Sequence, residues 1–286
     1  MIGQSAFSNR QSAIDFGGSG PLLHFAHANG YPPRAYTPLL EFLTARYHVI
    51  AQPAQPLWPN SDPTGVHDWR SFADDLLGAL AERADGPVIG VGHSLGAVTT
   101  LMAALHRPEL FRAIVLIDPV IFVRPSLWLW RVIKALGLGK RLHPLIPGAL
   151  KRRRVFENID EMFARYRRAP VFSRMDDAAL RAYVDSLAAP RADGQVALNY
   201  APEWEVAIYY FGPPDLWSEM PRLVVPMLLI YGAQSDTFSP RALAAMRRAL
   251  PTATYRRIED AGHLVPLERP ADVCQTILAF LDKVIG

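Results

Sequence analysis

A serine becomes a nucleophile only where a base can take its proton and the backbone can receive the anion formed. The segment Gly92-His93-Ser94-Leu95-Gly96 supplies the local half of that requirement. It follows the apolar run Val88-Ile89-Gly90-Val91 and opens a helical pattern through Ala97, Leu101, Ala104 and Leu105. A serine on so tight a strand-to-helix turn stands clear of both elements. Strand and helix backbones crowd there, which calls for glycine at 92 and 96. The helix N-terminus turns free N–H groups and partial positive charge toward the site. A glycine-rich turn with a capping serine is the bland alternative, and the strand–turn–helix context argues against it.

Two histidines compare as the base. His143 lies among prolines in a segment without strands. His263 sits in Glu259-Asp260-Ala261-Gly262-His263-Leu264-Val265-Pro266, between the last expected strand and the last helix. A loop there reaches the edge of the sheet beside the serine, so His263 is preferred. The carboxylate that holds the histidine's tautomer has two candidates. Asp236, just past Tyr231-Gly232, is favoured; Asp118, at the end of Val115-Leu116-Ile117, is the alternative. Aspartate is also common in turns for its own backbone bonds.

These residues need a scaffold, and the hydrophobic pattern describes one. Leu22–Ala26, Tyr47–Ala51, Val88–Val91, Ala113–Ile117, Met227–Tyr231 and Thr254–Ile258 read as strands, several of them continuously apolar. Helical patterns at Tyr36–Ala45, Asp68–Arg83, Leu95–His106, Pro240–Leu250 and Ala271–Val284 alternate with them. Alternation of this kind predicts an α/β fold with a mostly parallel sheet flanked by helices. It breaks between Pro119 and Pro221, where no convincing strand occurs. The expected organisation is a core of residues 1–118 and 222–286 with an inserted helical cap, 119–221.

Taken together, the Gly92–Gly96 elbow, the Gly232…Asp236 loop and Gly262-His263 resemble the α/β-hydrolase superfamily, in particular its cap-bearing, carboxylesterase-like serine hydrolases. The resemblance spans nearly the whole core. It implies Ser94, Asp236 and His263 as a catalytic triad, and an oxyanion hole from the N–H groups of Leu95 and Tyr31. Two departures stand out. Asn29-Gly30-Tyr31-Pro32 carries asparagine where relatives often have histidine, and His27 could take over its structural part. Gln52-Pro53-Ala54-Gln55-Pro56-Leu57-Trp58-Pro59 replaces a common Asp-x-x-Gly-x-Gly stretch. Haloalkane dehalogenases and epoxide hydrolases of similar fold use a carboxylate at the elbow. An alkylated serine would be an ether that water does not readily cleave, whereas an acyl-serine is an ester that it does. Hydrolysis of a carboxylic ester or lactone is therefore expected. A peptidase, a carbon–carbon bond hydrolase or a non-catalytic binding protein on the same fold are the alternatives.

Composition sets the outer bounds. The chain has 286 residues, half of them apolar, a net charge of +3 and one cysteine, Cys274, so no internal disulfide. The charge is too scattered for a nucleic-acid binder. No metal-ligand spacing or phosphate-binding glycine pattern is present, so no metal and no cofactor are expected. Met1–Gln11 lacks the apolar run of a signal peptide and no stretch suits a membrane span, which points to a cytoplasmic location without an integral membrane segment. Trp58, Phe122, Trp128 and Trp130 are candidates to line an apolar substrate pocket. The partner expected is a neutral, largely apolar small-molecule ester. The cap interleaves these aromatics with Arg and Lys. One reading is a lid with peripheral contact to anionic lipid. The other, favoured for the charges, is a helix pair with its apolar face on the core and its basic face in water.

Overall fold

The computed structural model describes residues 11–285; Met1–Gln11, apart from Gln11 itself, lies outside them. The core elements run in the order β1 (Ile14–Gly17), β2 (Leu22–Ala26), α1 (Thr37–Leu43), β3 (His48–Ala51), α2 (Arg70–Arg83), β4 (Val88–His93), α3 (Leu95–His106) and β5 (Phe111–Ile117). The inserted segment then contributes α4 (Arg124–Ala135), α5 (Gly139–Leu142), α6 (Ile146–Leu150), β6 (Val155–Phe156), α7 (Ile159–Arg167), α8 (Asp177–Leu187), β7 (Ala188–Pro190), β8 (Val196–Leu198) and α9 (Pro202–Phe211). The core resumes with β9 (Met227–Gly232), α10 (Pro240–Ala249), β10 (Thr254–Ile258), α11 (Val265–Glu268) and α12 (Pro270–Val284).

The seven-stranded sheet has the order β1-β3-β2-β4-β5-β9-β10 and is parallel except for β1, which pairs antiparallel with β3. All six residues of β4 are buried, as are all of β5 but Arg112. Strands covered on both faces by helices have no polar side to present, which is why these two read as unbroken apolar runs. At the margin β10 alternates less strictly and exposes Arg256 and Arg257. Leu95 through Ala104 of α3 are all buried, so this helix is enclosed on every side and is apolar all round.

The inserted residues run between β5 and β9, which are adjacent in the sheet, and several of them (Phe156, Met162, Tyr183, Trp204) share one buried cluster with the strands. Contrary to the sequence expectation of a strand-free cap, β6, β8 and β7 make a small antiparallel sheet. Its strands are two or three residues long, too short for alternation to register. The edge strand β1 is likewise absent from the hydrophobic pattern, being only four residues before a glycine.

Candidate active site

Ser94 occupies the turn between β4 and α3 with φ 55° and ψ −114°, a conformation a non-glycine residue rarely adopts. Neighbouring backbone holds it there: its N–H donates to the Ile117 carbonyl at 3.0 Å, and its own carbonyl accepts from Val98 N. A Cβ on Gly92 would overlap the Gly96 carbonyl, and one on Gly96 would overlap the Ala26 carbonyl. Glycine at both positions is thus a matter of space.

His263 arrives on the loop between β10 and α11. Its Nε2 lies 3.0 Å from Ser94 Oγ, and its Nδ1 lies 2.8 Å from Asp118 Oδ1. A carboxylate only accepts, so Nδ1 carries the proton and Nε2 is left to accept the serine hydroxyl hydrogen. Asp118 has no exposed surface. Besides His263 it accepts from Ser235 Oγ at 2.6 Å and from Gly232 N at 2.9 Å. Three donors on one buried carboxylate are what keep such a charge tolerable.

The sequence preference for Asp236 as the partner of His263 is therefore corrected. Asp236 is exposed, and its Oδ1 accepts from the neighbouring Thr237 hydroxyl. Strand order is the physical reason. β5 lies directly beside β4, whereas β9 is one strand further from the serine. What the Gly232…Asp236 loop brings to the site is Ser235.

His93, the residue before Ser94 in the elbow, carries no role in the sequence reading, yet it joins three loops. Its Nε2 donates to the His263 carbonyl at 2.9 Å, since a carbonyl can only accept. Nδ1 is then free to accept from Tyr36 Oη at 2.7 Å, and Tyr36 Oη in turn accepts from Ala28 N at 3.2 Å. Burial, and then the nearby His263, hold the His93 pKa well below the ordinary histidine value, so the ring stays neutral. The signal for this role in the sequence is faint, because Tyr36 lies 57 residues from His93. Glu268 secures the other side of the histidine loop by accepting Gly262 N at 2.5 Å.

The early loop is held from below and above. His27 Nδ1 donates to the Ala28 carbonyl and its Nε2 accepts from Ala54 N, each at 2.9 Å. Burial drops its pKa to about 4. Asn29 Oδ1 accepts from Tyr200 Oη at 2.9 Å, and Gly30 sits at φ 78°, open to glycine but strained for other residues. The Tyr31 ring stacks on Tyr183 of α8, with centroids 4.8 Å apart. Support for the asparagine thus comes from the inserted segment. Leu95 N is a first-turn donor of α3 and has no carbonyl of its own helix to meet. The Tyr31 N–H is engaged with the Ala28 carbonyl at 3.2 Å, so it would have to be shared with an anion.

The proposed pocket aromatics do not converge. Trp58 lines a cavity of about 40 Å³ with His24, His27, Phe72 and Leu95, beside the elbow helix. Phe122 borders a depression with Val98, Leu216 and Met220. Trp130 donates Nε1 to the Tyr210 carbonyl and packs edge-on against His143, inside the inserted layer. Trp128 is 66% exposed and faces outward, so it is no wall of a buried pocket. His143 stacks on Tyr209 and has no part in the serine–histidine pair. Cys274 is a buried free thiol whose pKa burial raises. Among the described residues no group of His, Cys, Asp and Glu could hold a metal ion, and no helix is long and apolar enough to cross a membrane.

A family model described as the alpha/beta hydrolase family matches residues 25–276. The chain belongs to this hydrolase family. Its similarity to individual members is modest. It is 29% identical over 270 residues to polyketide synthase ThaQ of Burkholderia thailandensis, covering 94% of this chain but only 12% of that far longer protein. It is 25% identical to a pimeloyl-[acyl-carrier protein] methyl ester esterase of Vibrio atlanticus, over 93% of this chain and 96% of the other. Among solved structures it superposes on an E-2-(acetamidomethylene)succinate hydrolase with a TM-score of 0.77, 26% identity and 94% coverage of each chain. These hydrolase relatives are thus named for different substrates.

Proposed function

We propose that this hydrolase cleaves a carboxylic ester or lactone of a neutral, largely apolar small molecule through an acyl-enzyme on Ser94. The observation that carries the reading is the continuous chain Ser94 Oγ–His263 Nε2, His263 Nδ1–Asp118 Oδ1 at 3.0 and 2.8 Å. As Ser94 Oγ attacks the acyl carbon, its proton passes to His263 Nε2, and the buried Asp118 carboxylate stabilises the resulting imidazolium. The carbonyl electrons move onto oxygen, where the Leu95 N–H at the start of α3 meets them, with the Tyr31 N–H as the second donor. Collapse expels the alkoxide, which takes the proton from Nε2. Water then repeats the sequence against the acyl-serine and releases the acid.

Neutral substrates are favoured because the large charges near the early loop already have partners. Glu205 lies over Gly30, and its carboxylate is paired with Arg152, which also donates to Tyr166 and Tyr183. A charged substrate would have to break that pair or be buried alone, at a cost of several kcal/mol against about 0.8 gained per buried methylene. The direct test is covalent labelling by a fluorophosphonate, with ester turnover measured in parallel. Ser94→Ala is expected to lose labelling and nearly all turnover while keeping the wild-type melting profile; a folded Ser94→Ala protein with near-normal turnover defeats the proposal. In a second comparison, kcat/KM for a neutral ester should exceed that for its carboxylate- and ammonium-bearing analogues. Preference for the carboxylate would instead make Arg152 a substrate-binding residue.

A further inference from the structure

From Pro119 to Phe156 the chain carries nine Lys and Arg and not one Asp or Glu, although the whole protein is only +3. The same stretch exposes apolar bulk. Trp128, Leu129, Leu136, Leu142, Leu145 and Leu150 are each more than half exposed. The inner side of this segment is fixed on α9. Trp130 Nε1 and Lys134 Nζ bond the carbonyls of Tyr210 and Phe211, and Ile146 and Ala149 pack with Val206. The apolar residues named first are therefore those left on the outside. At about 100° per residue, Trp128, Leu129, Val132 and Leu136 fall within one arc of roughly 100° on α4, away from buried Leu127. This inverts the usual arrangement, in which a surface helix turns its apolar stripe inward. Of the sequence reading, most of the basic side chains do lie in water, but a good part of the apolar residues does too.

We propose that the outer face of α4, α5 and α6 is a docking surface for an anionic lipid bilayer. Exposed leucines and a tryptophan flanked by cations are the chemistry of a segment lying in the headgroup region. Arg131, Lys140, Arg141 and Lys151 have no carboxylate partner among the described residues and are exposed, so their charge is available. α4 has 12 residues and extends about 18 Å, too short for a hydrocarbon core of about 30 Å, so it would lie in the surface and not span it. A second copy of this chain fits less well, because it would set this acid-free basic face against its like. A polyanion without an apolar phase would leave the leucines in water.

The test is co-sedimentation of the purified chain with vesicles of phosphatidylcholine alone and of phosphatidylcholine mixed with phosphatidylglycerol. Binding to the mixed vesicles only, weakened by added salt, is expected. Lys140→Gln with Arg141→Gln should weaken it about 25-fold, taking about fivefold per cation near an anionic surface. Leu129→Ser with Leu136→Ser should weaken it as well, with unchanged circular dichroism. No binding to the mixed vesicles, or equal binding to both kinds, overturns the proposal. So does retention by both variants, which would move the contact to another face. Loss in the charge variant alone would point to a polyanion. A solution dimer dissociated by the leucine substitutions would assign the face to a second copy.

Discussion

At Asp118 a single buried carboxylate meets the histidine ring, a serine hydroxyl and a backbone N–H. Replacing it by asparagine puts an amide against Nδ1 and removes the charge that favours the imidazolium. Asp118→Asn is therefore expected to lower ester turnover by about 10⁴, whereas Asp236→Asn, altering an exposed side chain bonded to Thr237 and not to His263, should stay within a fewfold of wild type. Steady-state kinetics on both proteins decide between the carboxylates, and a crippled Asp236 variant beside an active Asp118 variant would reverse the assignment. Both aspartates lie just past a buried apolar strand, Asp118 directly after it and Asp236 a short turn later, so side-chain chemistry alone does not separate them. The distinction lay in topology. Consecutive strands commonly lie side by side, and here β5 is the neighbour of β4 whereas β9 is not.

At the scale of elements, the elbow is a joint with no room to spare. Gly96→Ala adds one methyl group where the Ala26 carbonyl already stands. Backbone cannot rotate aside as a side chain can, so the strand or the helix must move. A loss of about 1–3 kcal/mol or more is expected in urea unfolding, with turnover falling because Ser94 moves with the helix. An equally stable, equally active Gly96→Ala protein would contradict the crowding. The elements that build this joint were legible from hydrophobic period: the expected Leu22–Ala26, Thr254–Ile258 and Leu95–His106 coincide with β2, β10 and α3. Long buried runs advertise themselves because burial on both faces admits no polar residue. The contacts that tune the site were not legible. Tyr36 to His93 and Asn29 to Tyr200 join residues 57 and 171 positions apart, and nothing local in either member signals the other. In the inserted segment the aromatics suggested a pocket wall, but a tryptophan facing water has the same local pattern as one facing a ligand.

Across the whole molecule, charge and protonation are unevenly distributed. Residues 119–156 hold +9, so the remainder sums to −6, and four of the nine cations pair with carboxylates from outside the segment. Buried histidines add a pH dependence of definite sign. Burial lowers both His24 and His27 from about 6.5 to about 4. Between those values the unfolded chain binds protons that the native state refuses, so stability falls as pH drops from about 6.5 toward 4 and is recovered on return. Each is worth on the order of 3 kcal/mol at the acid limit. Urea midpoints measured from pH 7 to pH 4 should decline accordingly, and a flat profile would show that neither ring is kept neutral by burial. Asp118 also joins the two halves of the core. It is the last core residue before the chain departs for the inserted segment, and Gly232 and Ser235, which it grips, lie soon after the chain returns. The carboxylate is thus a clasp across a seam, closing the core where the excursion leaves it. Doubling the length of a flexible excursion costs only about 0.6 kcal/mol in closure entropy. With the seam locked from below, changes of length in the excursion leave Ser94, His263 and Asp118 in register, so long as Tyr183 and Tyr200 still meet Tyr31 and Asn29 of the early loop.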